Sequence, residues 1–271
     1  MNEIKQITSL QNPLVKKIGL LREKSKERKK SGLFVLEGLL ELGLAIKGGY
    51  VIENLLFSAD LISERELNEI LKPYPKTVEM IQVSKEVYRK IAYRESTEGV
   101  VALGQSKPHH LDGLELPEKN PFVLVAEAPE KPGNIGALLR TADAAGLDAV
   151  IIADPKTDLY NPNIVRSSVG GLFTNAIATG SSSEIIQYLT KKGIKIYAAA
   201  LSASKPYTSI DFTGATAIVM GTEATGLSDA WLTGSDQNII IPMNGEIDSM
   251  NVSVSAAILI FEGKRQREKQ V

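Results

Sequence analysis

The chain reads as an α/β protein in two parts, a C-terminal doubly wound parallel sheet and a smaller N-terminal α/β domain. Three observations predict it. From "PFVLVAEAPE" onward, the runs "FVLVAEA", "AVIIAD", "KIYAAAL", "ATAIVMG" and "NIIIPM" are apolar almost throughout and alternate with helical segments, as expected when crossover helices bury both faces of parallel strands. Ahead of them, shorter Val- and Ile-rich runs, "FVLEG", "VIENLLFS", "TVEMIQV" and "VVALGQ", alternate with the helical patterns "ELGLAIKGG", "ISERELNEIL" and "SKEVYRKIAY". Between the two parts, "SKPHHLDGLELPEKN" has no periodicity, holds two prolines and both histidines, and reads as a linker. The expected partition is 1–105, 106–117 and 118–271, and 271 residues suffice for two separate cores.

The first element opens on Asn12 and Pro13, a helix cap followed by a proline at the first helical position. Leu14, Ile18 and Leu21 then recur at helical spacing, which puts the basic residues of "KKIGLLREKSKERKK" on the opposite side of an amphipathic helix. The formal net charge of -1 gives no global attraction to nucleic acid, so any such attraction is local. Lys16, Lys17, Arg22 and Lys24 are the candidates to meet RNA phosphates; a solvated helix face is the ordinary alternative. The absence of cysteine excludes a disulfide framework, a thiolate zinc site and a thiol nucleophile. His109 and His110 are adjacent, so a helix or strand cannot aim both at one metal, and no metal is expected. No apolar run is long enough to cross a bilayer and "MNEIKQITSLQNP" lacks the features of a signal peptide, so a soluble, cytoplasmic protein without membrane partners is expected.

In a doubly wound sheet ligands sit beyond the carboxyl ends of the strands, which directs attention to the loops after Ala128, Met220 and Met243. In "APEKPGNIGALLRTADAAG", Pro132 and Gly133 turn the chain, Asn134 is placed to cap the next helix, and Arg140 stands three residues from a possible partner, Asp143. In "MGTEATGLSDAW", Gly221 and Gly226 allow close backbone approach and Ser228 stands at a helix start, with Glu223 between them. The lysine of a phosphate-binding loop is missing, and no GxGxxG opens a helix after a strand. In "IIIPMNGEIDSMNVSVSAAILIFEG", capping accounts for one of Ser249 and Asn251, whereas the small residues Ser253, Ser255, Ala256 and Ala257 let other backbone pack tightly against the helix.

The segments "NIGALLRTADAAG", "IVMGTEATGLS" and "IPMNGEIDSMNVSVSAAILIFE", in this order and at these spacings, resemble the three signature motifs of the SpoU/TrmH family (SPOUT superfamily) of RNA 2′-O-ribose methyltransferases. The pieces "ITSLQNPLVKKIGLL", "GLFVLEG" and "STEGVVAL" are similar to an N-terminal substrate-binding domain related to a small ribosomal protein. The resemblance implies a trefoil knot in the catalytic domain, a homodimer with the cofactor site near its interface, and S-adenosylmethionine as cofactor. It places that cofactor against Gly221, Ile241 and Met250, the last where the family more often has leucine. Arg140 matches the family's catalytic arginine, and Asn134, Glu223, Ser249 and Asn251 match its other polar motif positions. The activity implied is methylation of a ribose in structured RNA, with 23S ribosomal RNA the leading substrate. The alternatives are transfer RNA or an inactive RNA-binding module of the same fold. A ribose hydroxyl is a poor nucleophile at neutral pH, and an arginine that stays protonated suits a charge clamp better than a base.

Overall fold

A computed structural model describes residues 4–93, 98–201, 204–246 and 249–268. Parts of "STEGVVAL" (96–97) and of the turn at "NGEID" (247–248) lie outside the described residues. By internal packing the chain forms two units, Met1–Pro108 with Asp158–Thr174, and His109–Thr157 with Asn175–Val271. This differs from the contiguous partition expected from the sequence: Asp158–Thr174, from the middle of the second part, packs with the first.

The first unit contains β1 (Lys5–Ile7), α1 (Pro13–Glu23), α2 (Ser25–Ser31), β2 (Leu33–Glu37), α3 (Leu39–Lys47), β3 (Ile52–Phe57), α4 (Glu64–Leu71), β4 (Glu79–Val83), α5 (Lys85–Ile91) and β5 (Val100–Gln105). Its sheet has the order β1-β4-β3-β5-β2, with β5 antiparallel to both neighbours. Helix α1 begins as the sequence predicts: the Asn12 side chain accepts from the Leu14 N–H at 2.8 Å, and Val15, Ile18 and Leu21 are buried in the core.

The basic run, however, is not one helix. Lys24 takes an extended conformation and separates α1 from α2, so the residues beyond it leave the amphipathic register. The break turns Arg28 inward to 5% exposure, where its guanidinium donates to both carboxylate oxygens of Asp158 at 2.9 and 2.8 Å and to the Leu21 carbonyl at 2.6 Å. Burial raises the Asp158 carboxyl, but the hydrogen bonds from Arg28 and Ser25 and the nearby positive charges outweigh it and hold the group below its usual range.

The second unit contains β6 (Phe122–Glu127), α6 (Pro132–Ala145) and β7 (Ala149–Ala153). The chain then enters the first unit as α7 (Pro162–Ser167) and α8 (Gly171–Thr174). It returns as β8 (Ile177–Gly180), α9 (Ser182–Lys191), β9 (Lys195–Ala199), β10 (Lys205–Pro206), β11 (Thr216–Met220), α10 (Asp229–Gly234), β12 (Gln237–Ile240) and α11 (Val252–Glu268). The seven strands run β10-β12-β9-β11-β6-β7-β8, every pair parallel. All five expected strands are present; β6, β7, β9 and β11 form the buried centre of this sheet, and β12, beside the edge strand β10, is half-buried.

The stretch expected to be a linker is tied down instead. Thr179 of β8 donates its N–H to the His109 carbonyl at 2.7 Å, His110 bridges to Thr179, and Leu111, Leu114 and Leu116 pack on the sheet's core. Helix α11 lies close to the sheet and to α6. A Cβ built on Gly263 would stand 2.6 Å from the Phe122 ring, and Lys264 donates to the Ala145 carbonyl at 2.9 Å. Among the described residues no helix is long and apolar enough to cross a membrane, and no cluster of three or more His, Asp or Glu could hold a metal.

Candidate functional site

The reversal of strand order beside β6 and β11 places the loops after these strands, and the loop after β12, at one edge of the parallel sheet. The first loop differs from expectation. Lys131, not Asn134, occupies the cap position of α6, and it offers no side-chain cap. Asn134 therefore lies inside the first turn, with its carboxamide free to reach elsewhere. It donates through Nδ2 to Glu223 Oε1, whose other oxygen receives Lys131 Nζ. Arg140 is exposed and makes no hydrogen bond or ion pair with another described residue, so the local pairing with Asp143 is not formed. Six residues beyond Asn134, it points about a third of a turn away from it.

The second loop is closed on itself. Thr222 and Gly226 exchange N–H···O bonds at 3.0 and 3.1 Å, with Gly226 at φ +69°. A Cβ at Gly221 would collide with the Gly226 carbonyl and the Leu227 N–H, which requires glycine directly after β11. Ser228 is the residue before α10 but gives no side-chain cap; its N–H donates to Glu127 Oε2 at 2.8 Å.

Sequence reasoning missed Glu127, which is 7% exposed at the end of β6. Its other oxygen faces the Ser182 hydroxyl at 3.3 Å, and that hydroxyl donates to Asp154 at 2.6 Å and accepts from the Trp231 indole N–H at 2.8 Å. Written inside an apolar run, "FVLVAEA", Glu127 looks like a strand end; only the facing Ser228 N–H shows that it anchors the loop.

The third loop delivers Asn251, which caps α11: its Oδ1 accepts from the Ser253 N–H at 3.0 Å and hydroxyl at 2.6 Å. Its Nδ2 donates to Asn134 Oδ1 at 3.2 Å. Lys131, Glu223, Asn134 and Asn251 thus form one connected polar chain across the three loops. The Glu223 carboxyl is held below its ordinary range, first by the hydrogen bond from Lys131; desolvation opposes this, and that residue's charge and the Asn134 amide add to the lowering.

Beside this chain lies a cavity of about 490 Å³ in which the three expected cofactor residues, Gly221, Ile241 and Met250, come together with Glu223 and Ser249. Its wall is completed by Met220, Leu227, Ile239 and Met243, apolar residues that suit a flat aromatic ring. At Gly221 the main chain of Gly226 and Leu227 packs closely against the end of the strand. These features fit an adenosine-bearing ligand. Asn134, Asn251 and Arg140 do not line the cavity; the first two reach it through Glu223 and Arg140 stands apart.

An open parallel sheet with a ligand-sized cavity at its carboxyl edge, joined to a separate α/β unit, defines a two-unit α/β protein that binds a small organic molecule through loops. The particular kind follows from comparison: the chain belongs to the SpoU rRNA Methylase family, which residues 121–261 match, and residues 12–102 match the MRM3-like substrate binding domain. It is 30% identical over 258 residues to the 23S rRNA (guanosine(2553)-2'-O)-methyltransferase RlmP of Bacillus subtilis (strain 168), covering 95% of this chain and 98% of that protein. To the 23S rRNA (uridine(2479)-2'-O)-methyltransferase of Streptomyces viridochromogenes it is 30% identical over 251 residues, 89% of this chain and 85% of the other. The AdoMet-bound rRNA methyltransferase from Sinorhizobium meliloti superposes with a TM-score of 0.88 at 27% identity, over 97% of this chain and 98% of that one.

Proposed function

We propose that the protein transfers the methyl group of S-adenosylmethionine to the 2′-oxygen of a ribose in 23S ribosomal RNA. The observation that carries this reading is the coincidence of near-full-length similarity to 23S rRNA 2′-O-methyltransferases with a cavity assembled from the three motif loops. The transfer RNA alternative draws no support from these near-full-length relatives, and an inactive module would have no need of the intact polar chain.

Gly221, Ile241 and Met250 hold the cofactor, mainly through backbone; methionine keeps the apolar volume of the usual leucine. When bound, the sulfonium supplies an activated methyl carbon and leaves as a neutral thioether. Asn134 and Asn251 position the ribose, Ser249 and Glu223 orient the loops around the target nucleotide, and Arg140 stabilises the charge that develops on the 2′-oxygen as its proton departs.

Arg140 lies off the cavity of its own chain, which supports a homodimer in which one subunit's arginine completes the other's site. Helix α11 offers a surface for that contact: Val254 and Phe261 are 50% and 47% exposed, seven residues apart on one face. The tight packing of Gly221 against the Gly226 backbone and of Gly263 against the Phe122 ring is consistent with threading of the C-terminal segment into a trefoil knot. Residues 1–105 bind the RNA and 118–271 carry catalysis, joined through 106–117. Of the basic residues, Lys16, Lys17 and Lys24 are exposed and serve as phosphate ligands. Arg22 is half-buried and engaged, donating to the Lys90, Ile91 and Ala92 carbonyls at 3.2, 3.0 and 3.2 Å, so its contribution is to shape. The site of action is the cytoplasm, where ribosomal RNA is accessible.

Mapping ribose methylation in total RNA from a strain lacking the gene, against its parent, tests the proposal. One 23S position losing its methyl group, and regaining it with purified protein and S-adenosylmethionine, is the expected result. An unchanged 23S map, together with no cofactor binding, would remove it.

A further inference from the structure

The hydrogen bonds around Glu223 have a direction. An ionised carboxylate only accepts, so Asn134 must turn its NH2 group toward Glu223 and its carbonyl oxygen toward Asn251. Asn251, donating there, keeps its own carbonyl oxygen for the Ser253 N–H and hydroxyl. The orientation of both amides follows from the carboxylate, whose place is fixed from the far end of the chain, where Lys131 donates to the second Glu223 oxygen. A protonated Glu223 would carry a donor of its own. The Asn134 amide could then turn over and show the ribose an oxygen where it had shown an N–H.

Lys131 also stands where local rules disfavour it. At the cap position of α6 a cation opposes the helix dipole and supplies no acceptor for the open N–H groups. Its ion pair contributes little to folding, since the lysine side chain is 71% exposed. A residue that costs the helix something and returns little stability is placed for the site. Among the described residues Lys131 is the charged group that faces Glu223; Asn134 is neutral, and Glu130, Arg140 and Glu246 form no ion pair with it.

We propose that Lys131 is a positioning residue of the methyl-transfer site: by occupying the second Glu223 oxygen it fixes where that carboxylate stands, and through it where Asn134 and Asn251 are held toward the ribose. This rests on the methyltransferase reading above. The test compares full-length wild type, Lys131→Met and Lys131→Arg in methyl transfer to ribosomal RNA from the deletion strain, with kcat and KM followed across pH. Lys131→Met is expected to lower kcat about tenfold, the scale of a misplaced reacting group. Cofactor affinity and the KM for RNA should stay within about twofold, the acid limb of the kcat profile should move to higher pH, and Lys131→Arg should restore most of the rate. A raised KM for RNA with kcat intact would make Lys131 a phosphate ligand instead. A loss with the acid limb unmoved, or without rescue by arginine, would make its role merely structural. Either outcome overturns the inference while leaving the methyltransferase reading in place; a wild type that transfers no methyl group removes both.

Discussion

Two ion pairs in this protein share their chemistry and differ in everything that decides their energy. Arg28 and Asp158 are 5% and 11% exposed, matched in a bidentate geometry, with the arginine's remaining donors on backbone carbonyls. Lys131 and Glu223 are 71% and 29% exposed, and their neighbours are amides at the rim of a cavity. The first pair joins a helix break near the start of the chain to a segment 130 residues on, so losing one partner strands a buried charge. The second is screened by water and adds little to folding, yet it sits where the direction of a hydrogen bond matters. Burial makes the first a fastener; exposure leaves the second free to act on the site.

The strongest way to sharpen this contrast is with a third cation, Arg140, which forms no ion pair with another described residue. Arg140→Ala should reduce methyl transfer by at least about 100-fold, the scale of losing one donor to a developing oxyanion. Cofactor affinity measured by calorimetry should be nearly unchanged; retained turnover would mean that the arginine does not face the reacting oxygen. Next comes Asp158→Ala, expected to cost about 3–5 kcal/mol in chemical denaturation by leaving Arg28 buried and unpaired; a cost below about 1 kcal/mol would show that water reaches the pair. The same pair predicts a pH dependence. Because the folded-state Asp158 carboxyl lies below its unfolded value, its stabilisation is complete above the unfolded pKa and is lost as pH falls through the folded one. The stability difference between wild type and Asp158→Asn should therefore shrink on acidification. Smallest of all, Lys131→Ala should change unfolding free energy by less than about 1 kcal/mol; a larger loss would erase the distinction between the two pairs.

What could be read from the sequence follows from what each signal measures. Strands buried on both faces write themselves as apolar runs, so β6, β7, β9 and β11 were legible, and β12 was legible from the Ile run at its end. Edge strand β8, with the half-exposed Thr179 and Gly180 in "IATG", was not. The break at Lys24 has no proline or glycine to announce it, and the inward turn of Arg28 depends on Asp158, which periodicity cannot see. At the site, the three loops and their cavity residues were legible because the motif segments are distinctive. Glu127 and Lys131 were not, because their meaning lies in partners 101 and 92 residues away. Asn134, expected as a possible helix cap, lies inside the first turn of α6 instead, which leaves its amide available to Glu223.

The inward turn of Arg28 and the engagement of Arg22 bear on how the protein senses electrolyte. A count of positive side chains in "KKIGLLREKSKERKK" overstates the counterions that RNA association can release, because two of those guanidiniums are already committed to protein oxygens. The logarithmic salt dependence of complex formation should accordingly be shallower by about two phosphate contacts, near 0.7–0.9 in slope for each, than the composition of the segment suggests. Such a protein would dissociate less steeply as ionic strength climbs, and would rely more on the shape of its target.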